Sequence, residues 1–267
     1  MPRMRLLQTM QTNNPKPIGD EIMYIFVYGT LRYGHERHNV LENARFVGYG
    51  FIKGFKLYDL GPYPAIAKEN GTVYGEVYEI SPETLKTIDW IEGHPTLYKR
   101  ITVTAYFDES QEHKLENVYT YLYNQPIENA KPIPDGEYSK AKKKPIILNY
   151  FAYGSNMSPR RLKERGIKPI KTVKATLNNY RLVFNKKASI GKHCYANIEE
   201  APGEKVYGTL YTITLKQLEK LDGHEGYPNH YTRKTVKVHD QKQKPYFAQT
   251  YTATHPLEKK ENQQNST

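Results

Sequence analysis

Short stretches of alternating apolar and polar residues, broken by glycine, proline and asparagine, run through most of the chain. This period of two predicts β-strands. Two stretches are continuously apolar and end in Tyr-Gly, at residues 24–29 and 150–154. Two others carry a tyrosine within an alternating run, at residues 118–122 and 249–252. These elements follow the same order in both halves of the chain, so the pattern predicts a duplicated, mostly β structure.

A helical spacing of apolar positions occurs once in each half and predicts two helices. The first has Ser81 as its N-cap and Pro82 at its first position. The second opens with a capping box of Thr214 and Gln217. The apolar positions that follow are Leu85, Ile88 and Ile91 in the first helix, and Leu218 and Leu221 in the second.

An internal repeat aligns residues 73–103 with residues 206–236 without a gap, and 14 of 31 positions are identical. Both copies begin Val-Tyr-Gly-x-x-Tyr and continue with Asp-x-x-Glu-Gly-x-Pro-x-x-Tyr-x-Arg. Self-similarity of this kind predicts that one structural unit occurs twice.

The domain organisation follows from the repeat. We predict one domain over residues 22–124 and a second over residues 147–254. Residues 125–146 hold four prolines and a lysine run, offer few side chains that could pack, and are interpreted as a linker. The predicted fold class is α+β: two tandem, small, mixed β-barrel domains, each with one or two helices.

Composition favours a folded, reduced protein of the cytoplasm. Aromatic residues make up 12% of the 267 residues, and Cys194 is the only cysteine. A single cysteine excludes an internal disulfide and a cysteine-based zinc site, and we expect it to be a small buried strand residue. No apolar stretch is long enough to span a bilayer, and the first 20 residues lack the apolar core of a secretory signal. No metal site or cofactor is predicted.

The net charge of +11 raises the question of a nucleic-acid partner. The basic residues are spread over both halves, however, and no helix-turn-helix, zinc-finger or RNA-binding motif is present. We therefore consider nucleic acid an unlikely partner and interpret the charge as a solvated surface that also attracts acidic small molecules.

Glu92 and Glu225 are the candidate catalytic residues. Glycine follows each directly, so each glutamate is expected at a helix C-terminus, where the helix dipole disfavours negative charge. An aspartate three residues earlier, Asp89 or Asp222, is expected on the same helix face. Both effects would raise the pKa of the glutamate towards the range of a general base. The alternative is an ordinary solvated charge.

The Tyr-Gly turns are the candidate ligand-binding loops. Glycine allows a ligand to approach the backbone, and successive N–H groups in such a turn can bind an anion. Thr30, Ser155 and Asn156 could add side-chain hydrogen bonds. The alternative is an ordinary turn after a strand. For the tyrosines at positions 98, 121, 231 and 251 the alternative is a core aromatic residue whose hydroxyl has a partner.

These motifs together resemble a known superfamily. Tyr28-Gly-Thr-Leu31 with Asp89-x-x-Glu92 resembles the γ-glutamylamine cyclotransferase and AIG2-like group. Tyr150-Phe-Ala-Tyr-Gly-Ser155, with Glu199-Glu-Ala-Pro-Gly203 and Leu221-Asp-Gly-His-Glu225-Gly, resembles γ-glutamylcyclotransferase proper. Each resemblance covers about 100 residues, and the tandem arrangement departs from the single-domain members.

The resemblance implies a small mixed β-barrel that binds a small γ-glutamyl substrate and cyclises it, which releases 5-oxoproline and a free amine without a cofactor. One glutamate per domain, Glu92 and Glu225, would be the general acid/base. The residues that would bind substrate are Tyr28, Gly29, Thr30, Leu31, Tyr98 and Tyr121 in the first copy, and Tyr150, Phe151, Ala152, Tyr153, Gly154, Ser155, Tyr231 and Tyr251 in the second. The second copy matches the γ-glutamylcyclotransferase branch more closely, so we expect the second domain to be the main cyclotransferase.

A second hypothesis keeps the same fold but not the reaction. One or both domains would then be a catalytically silent γ-glutamyl-binding or regulatory module, since a fold does not determine a function. The leaving group of the substrate and the oligomeric state are not encoded in these motifs.

Overall fold

The computed structural model describes residues 22–128, 130–187 and 194–256. The expectations for the first 20 residues therefore lie outside the described part. No helix among the described residues is long and apolar enough to cross a membrane.

Two closed five-stranded β-barrels of mixed strand direction make up the fold, which confirms the predicted class. The first barrel closes in the order β2-β3-β1-β5-β4, with a short sixth strand added to β2. Its elements are β1 (Met23–Val27), β2 (Arg45–Asp59), β3 (Pro64–Ile80), α1 (Pro82–Ile91), β4 (Tyr98–Tyr106), β5 (Lys114–Tyr123), β6 (Lys131–Pro132) and α2 (Tyr138–Ala141), with a single 3-10 turn at His38–Leu41.

The second barrel closes in the order β10-β11-β7-β9-β8. Its elements are β7 (Ile147–Ala152), α3 (Pro159–Glu164), β8 (Lys171–Lys187), β9 (Cys194–Thr214), α4 (Leu215–Glu225), β10 (Tyr231–Asp240) and β11 (Pro245–Ala253), with a 3-10 turn at Ser155–Met157. Cys194 begins β9 and is only partly buried, so the expectation of a buried cysteine is wrong.

The two copies share their strand register. β1 runs parallel to β5 and antiparallel to β3, and β7 runs parallel to β11 and antiparallel to β9. In both copies the opening strand is therefore central and buried, which explains its continuous apolar sequence. Its carboxyl end leads directly into the Tyr-Gly turn.

Both predicted helix starts are confirmed. Ser81 accepts a hydrogen bond from the Thr84 amide at the start of α1, with Pro82 in the first turn. Thr214 and Gln217 form a reciprocal capping box at the start of α4. Gly93 and Gly226 follow the helices with positive φ angles of 60° and 64°, a conformation that glycine adopts without strain and that ends the helix.

The segment interpreted as a linker packs against the first barrel. Ile133, Tyr138 and Ser139 are buried, and the backbone of residues 131 and 132 pairs with β2. The expectation that few of its residues pack is wrong, because prolines and lysines flank the buried residues at 133 and 136–139 and hid them. The domain boundaries themselves stay predictions.

The barrels contact each other mainly through β2 of the first barrel and β7 and β11 of the second. Phe107 and Phe247 stack face to face with their ring centroids 3.8 Å apart. The Asn149 side chain donates hydrogen bonds to the carbonyl of Val47 across the contact (3.0 Å), and Arg45 donates to the carbonyl of Pro245 (2.6 Å).

Candidate active site

The first candidate site lies where β1 ends and α1 ends. Leu85 and Ile88 anchor α1 in the core, so that Glu92, directly after the helix, borders a pocket beside the turn after β1. The pocket is narrow and opens to solvent. It is lined by Phe26, Val27, Tyr28, Gly29, Thr30, Leu31, Arg37, Tyr63, Pro64, Glu92, Tyr98 and Tyr121. All seven residues assigned to this site from the sequence are among them.

Glu92 is the acidic residue of this pocket, and the surroundings of its carboxyl group are unusual. Its carboxyl group has no hydrogen bond or ion pair within the described part of the chain. Burial raises the pKa of Glu92 to about 7, against a smaller opposing effect of the Arg37 charge. The carboxyl group therefore changes its protonation state near neutral pH.

One of the two predicted causes of that raised pKa, the charge of Asp89, is wrong. Asp89 does not face Glu92: its carboxylate pairs with Arg100 and accepts a hydrogen bond from the Tyr121 hydroxyl (2.6 Å). The negative charge of Asp89 is thus neutralised within its own cluster, and desolvation of Glu92 is the dominant effect.

The tyrosines of the first site form its walls. The Tyr28 hydroxyl donates to the carbonyl of Tyr121, and the Tyr98 hydroxyl donates to the carbonyl of Pro64, both at 2.6 Å. Burial raises the pKa of Tyr28, Tyr98 and Tyr121 well above the usual value, so these hydroxyls stay protonated. Their partners match the alternative of core aromatics with satisfied hydroxyls.

The turn at residues 28–31 packs tightly. A Cβ atom added to Gly29 would lie 2.4 Å from Cγ of Pro64, so only glycine fits. The Thr30 carbonyl accepts a hydrogen bond from the Arg37 amide (3.0 Å), which closes the loop. Among the described residues, the backbone N–H groups of Thr30 and Leu31 have no protein acceptor, so they can donate to a ligand.

A buried ionic cluster fixes the chain directly after this turn. Arg32, which is fully buried, pairs with Glu76 (3.3 Å) and with Glu137. The second oxygen of Glu76 accepts hydrogen bonds from the Tyr33 amide (2.9 Å) and the Tyr78 hydroxyl (2.8 Å). The cluster therefore ties the binding turn to β3 and to the packed segment before α2, and this connection was not foreseen.

The tyrosines of the second candidate site make the same kinds of hydrogen bond as those of the first. The Tyr153 hydroxyl donates to the carbonyl of Tyr251 (2.6 Å), and the Tyr231 hydroxyl donates to the carbonyl of Ala196 (2.8 Å). The Tyr251 hydroxyl donates to Asp222 (2.8 Å), which pairs with Arg233. These contacts repeat those of Tyr28, Tyr98 and Tyr121.

The carboxyl group of Glu225 has partners. Arg165, which follows α3, donates to it at 2.5 Å, and the Asn156 amide donates to the same oxygen at 3.0 Å. Asn156 also donates to the Tyr150 hydroxyl (2.8 Å). Glu225 is thus the acceptor of a charged and a neutral donor.

The other predicted residues of the second site divide between two faces of β7. Tyr150 and Ala152 pack in the cluster that also holds Tyr231 and Tyr251, whereas Phe151 packs in the opposite cluster of the barrel. Gly154 and Ser155 form the turn. A Cβ atom added to Gly154 would meet only Ala196 at 3.5 Å, an ordinary contact, so the protein itself does not require glycine there.

Sequence reasoning missed Arg37, Tyr63 and Arg165. Arg37 and Tyr63 line the first pocket, and Arg165 binds Glu225. Arg37 and Arg165 come from the segments that follow the Tyr-Gly turns, and Tyr63 lies in the connection between β2 and β3. The only available signal was a basic residue in the loop after each Tyr-Gly turn. Within the described residues, no cluster of three or more histidine, cysteine, aspartate or glutamate side chains could hold a metal ion.

Both halves of the chain match one family of known proteins. The family model described as gamma-glutamyl cyclotransferase, AIG2-like, matches residues 25–140 and 150–267. MJ1514 of Methanocaldococcus jannaschii is 36% identical over 118 residues, which cover 43% of this chain and 94% of that protein.

Two other relatives carry the family's name. The gamma-glutamylcyclotransferase family protein YtfP of Escherichia coli is 33% identical over 116 residues, 43% of this chain and 96% of YtfP. The gamma-L-glutamyl-butirosin B gamma-glutamyl cyclotransferase of Niallia circulans is 36% identical over 118 residues, 41% of this chain and 73% of that enzyme. With two barrels and two matched segments, the chain belongs to the AIG2-like gamma-glutamyl cyclotransferase family.

Proposed function

We propose that this protein cyclises a γ-glutamyl compound to 5-oxoproline and a free amine, and that the first barrel performs the reaction with Glu92 as general acid/base. The observation that carries the proposal is the Glu92 carboxyl group beside the turn at residues 28–31, which has no partner among the described residues and whose pKa is raised by burial to about 7. A general acid/base is most effective when its pKa lies near the working pH.

The reaction moves two protons from the attacking nitrogen to the leaving nitrogen. The Glu92 carboxylate takes the first from the substrate's α-ammonium group, and the freed amine attacks the γ-carbonyl carbon of the same molecule. A carbon–nitrogen bond forms within a five-membered ring, Glu92 gives its proton to the leaving nitrogen, and the bond to the leaving amine breaks. The ring nitrogen then gives its second proton to the Glu92 carboxylate, and the free amine takes up that proton and leaves as an ammonium group. Because nucleophile and electrophile belong to one molecule, the enzyme mainly has to fold the substrate.

The turn at residues 28–31 is proposed to hold the γ-glutamyl group. The N–H groups of Thr30 and Leu31 would donate to its oxygen atoms, and the buried tyrosine walls would exclude water. Support comes from the two free amides and from the close packing of Gly29 on Pro64. Fixed donors aimed at oxygen also stabilise the negative charge that develops during attack.

Quantifying 5-oxoproline after incubation of the purified protein with a panel of γ-glutamyl amino acids, peptides and amines tests the proposal. We expect 5-oxoproline and the free amine in equal amounts. Saturable binding of the panel without any 5-oxoproline would contradict the reaction and favour the silent binding module.

A silent role is proposed for the second barrel. Its glutamate accepts hydrogen bonds from Arg165 and Asn156, so a proton transfer through Glu225 would first have to break a charge-assisted contact. Tyr150, Tyr153, Gly154 and Ser155 would then bind a γ-glutamyl group, or a product, without converting it.

A further inference from the structure

We propose that the leaving group of the substrate is an amino acid with an apolar side chain, and that Trp90 and Arg37 select it. This inference rests on the proposed reaction at Glu92 and names its substrate class. A second, solvent-open pocket of about 380 Å³ adjoins the first and is lined by Arg37, Asn39, Val40, Trp90 and Ile91.

Trp90 has no structural role in the barrel. It is the only tryptophan of the chain, and 84% of it is exposed, although α1 buries Leu85 and Ile88 in the core. A single exposed apolar residue is common on protein surfaces. Trp90, however, lines a shallow hollow together with Val40 and Ile91, and aromatic surface of this kind binds apolar groups.

Arg37 connects the two pockets, because it lines both. Its guanidinium forms no ion pair or hydrogen bond within the described part of the chain, and its charge acts on Glu92. A cation without an acidic partner at the boundary of a substrate pocket is available for a carboxylate of the ligand.

The chemistry of the leaving group fits this order of residues. The leaving nitrogen must lie beside Glu92 to receive its proton. In an α-amino acid the carboxylate and the side chain branch from the carbon next to that nitrogen. The carboxylate then reaches Arg37, and the side chain extends over Ile91 and Trp90. A leaving amine without a carboxylate would offer Arg37 no partner on the leaving group, and glycine would leave the aromatic surface empty.

The kinetic test compares γ-glutamyl-leucine, γ-glutamyl-glycine and γ-glutamyl-leucinamide with the full-length protein. We expect Trp90→Ala to lower kcat/KM for γ-glutamyl-leucine about tenfold, the order for losing one apolar contact surface, with little change for γ-glutamyl-glycine. Arg37→Gln should lower kcat/KM for γ-glutamyl-leucine and γ-glutamyl-glycine, whose leaving groups carry a carboxylate. It should leave kcat/KM for γ-glutamyl-leucinamide unchanged. Tyr207→Ala, which removes another exposed aromatic on the second barrel, is the matched control.

Fluorescence separates this inference from the reaction. Because Trp90 is the only tryptophan, its emission reports on this pocket alone. In Glu92→Gln, which cannot turn substrate over, γ-glutamyl-leucine should change the emission saturably and γ-glutamyl-glycine should change it much less.

Each result decides one question. Unchanged emission, or the same preference for leucine over glycine in Trp90→Ala as in the wild type, would overturn the apolar selection even if 5-oxoproline forms. A saturable emission change in a wild-type protein that releases no 5-oxoproline would instead support the pocket and contradict the proposed reaction.

Discussion

The two barrels carry the same Asp-x-x-Glu-Gly motif on the same element, yet they place its glutamate in different surroundings. Glu92 is desolvated and has no described partner, and its pKa is raised to about 7. Glu225 is bound by Arg165 and Asn156. The comparison teaches that a repeated motif specifies the position of a side chain, whereas its chemistry depends on groups contributed from elsewhere in the chain.

The turns that face these glutamates differ as well. In the first barrel the turn continues into Arg32, which is buried between Glu76 and Glu137. The corresponding residue of the second barrel is Met157, which is 38% exposed, and the residue aligned with Glu76 is Thr209. The first turn is therefore held by a buried ionic cluster that the second lacks. Such a cluster is rigid only while every member has its partner.

The largest expected effect is a difference in activity between the variants of the two glutamates. Glu92→Gln cannot accept a proton, so 5-oxoproline release should fall by roughly 10²–10⁴-fold, mainly in kcat. Glu225→Gln should keep most of the activity. Both variants should retain wild-type circular dichroism. If Glu225→Gln were the inactive variant, the assignment of the working barrel would be reversed.

Arg32→Met puts the residue of the second copy into the first and tests the ionic cluster. Two buried carboxylates then lack their cation, and we expect a loss of about 3–5 kcal/mol in the free energy of unfolding, measured with urea. Arg160→Met is the control, since Arg160 pairs with Glu164 while 89% exposed. Equal stability of the two variants would show that the cluster does not hold the turn.

The pH dependence of kcat/KM should report the ionisation of Glu92 if the first barrel is the working one. The reaction needs the Glu92 carboxylate, so activity should fall about tenfold for each pH unit below about 7, where that group becomes protonated. The raised pKa also means that Glu92 favours folding when protonated, and this contribution is lost as the pH rises through about 7. Glu92→Gln should therefore gain stability relative to the wild type above pH 7. A pH profile of kcat/KM that does not fall below about pH 7 would contradict the assignment of Glu92 as the general acid/base.

The smallest expected effect tests whether Arg165 causes the difference in activity between the two barrels. In a Glu92→Gln background, Arg165→Gln removes the cation from Glu225 and should raise the residual release of 5-oxoproline by a few-fold, because the Glu225 carboxylate then no longer has to break a charge-assisted contact before it accepts a proton. Arg160→Gln is the exposed control. Unchanged residual activity would locate the difference between the barrels outside the Arg165 contact.

The sequence expectation favoured the second barrel as the main enzyme, and the site geometry favours the first. The expectation relied on motif similarity around Tyr150 and Glu225. Motif similarity does not register Arg165, which lies 60 residues before Glu225 and contacts it only after folding. The Glu92 environment was likewise anticipated in direction but not in cause, because burial is a property of the assembled pocket.

By itself, the sequence determined the duplication, the two barrels, both helix caps and the convergence of the Tyr-Gly turn with Glu92 in one pocket. Those features depend on local periodicity and on motifs a few residues long, and the same order occurs twice. Only the tertiary structure decided that residues 130–145 pack, that Arg32 lies between Glu76 and Glu137, and which glutamate keeps a free carboxyl group. Each of these depends on contacts between residues about 40 to more than 100 positions apart, and desolvation arises only when such distant segments meet.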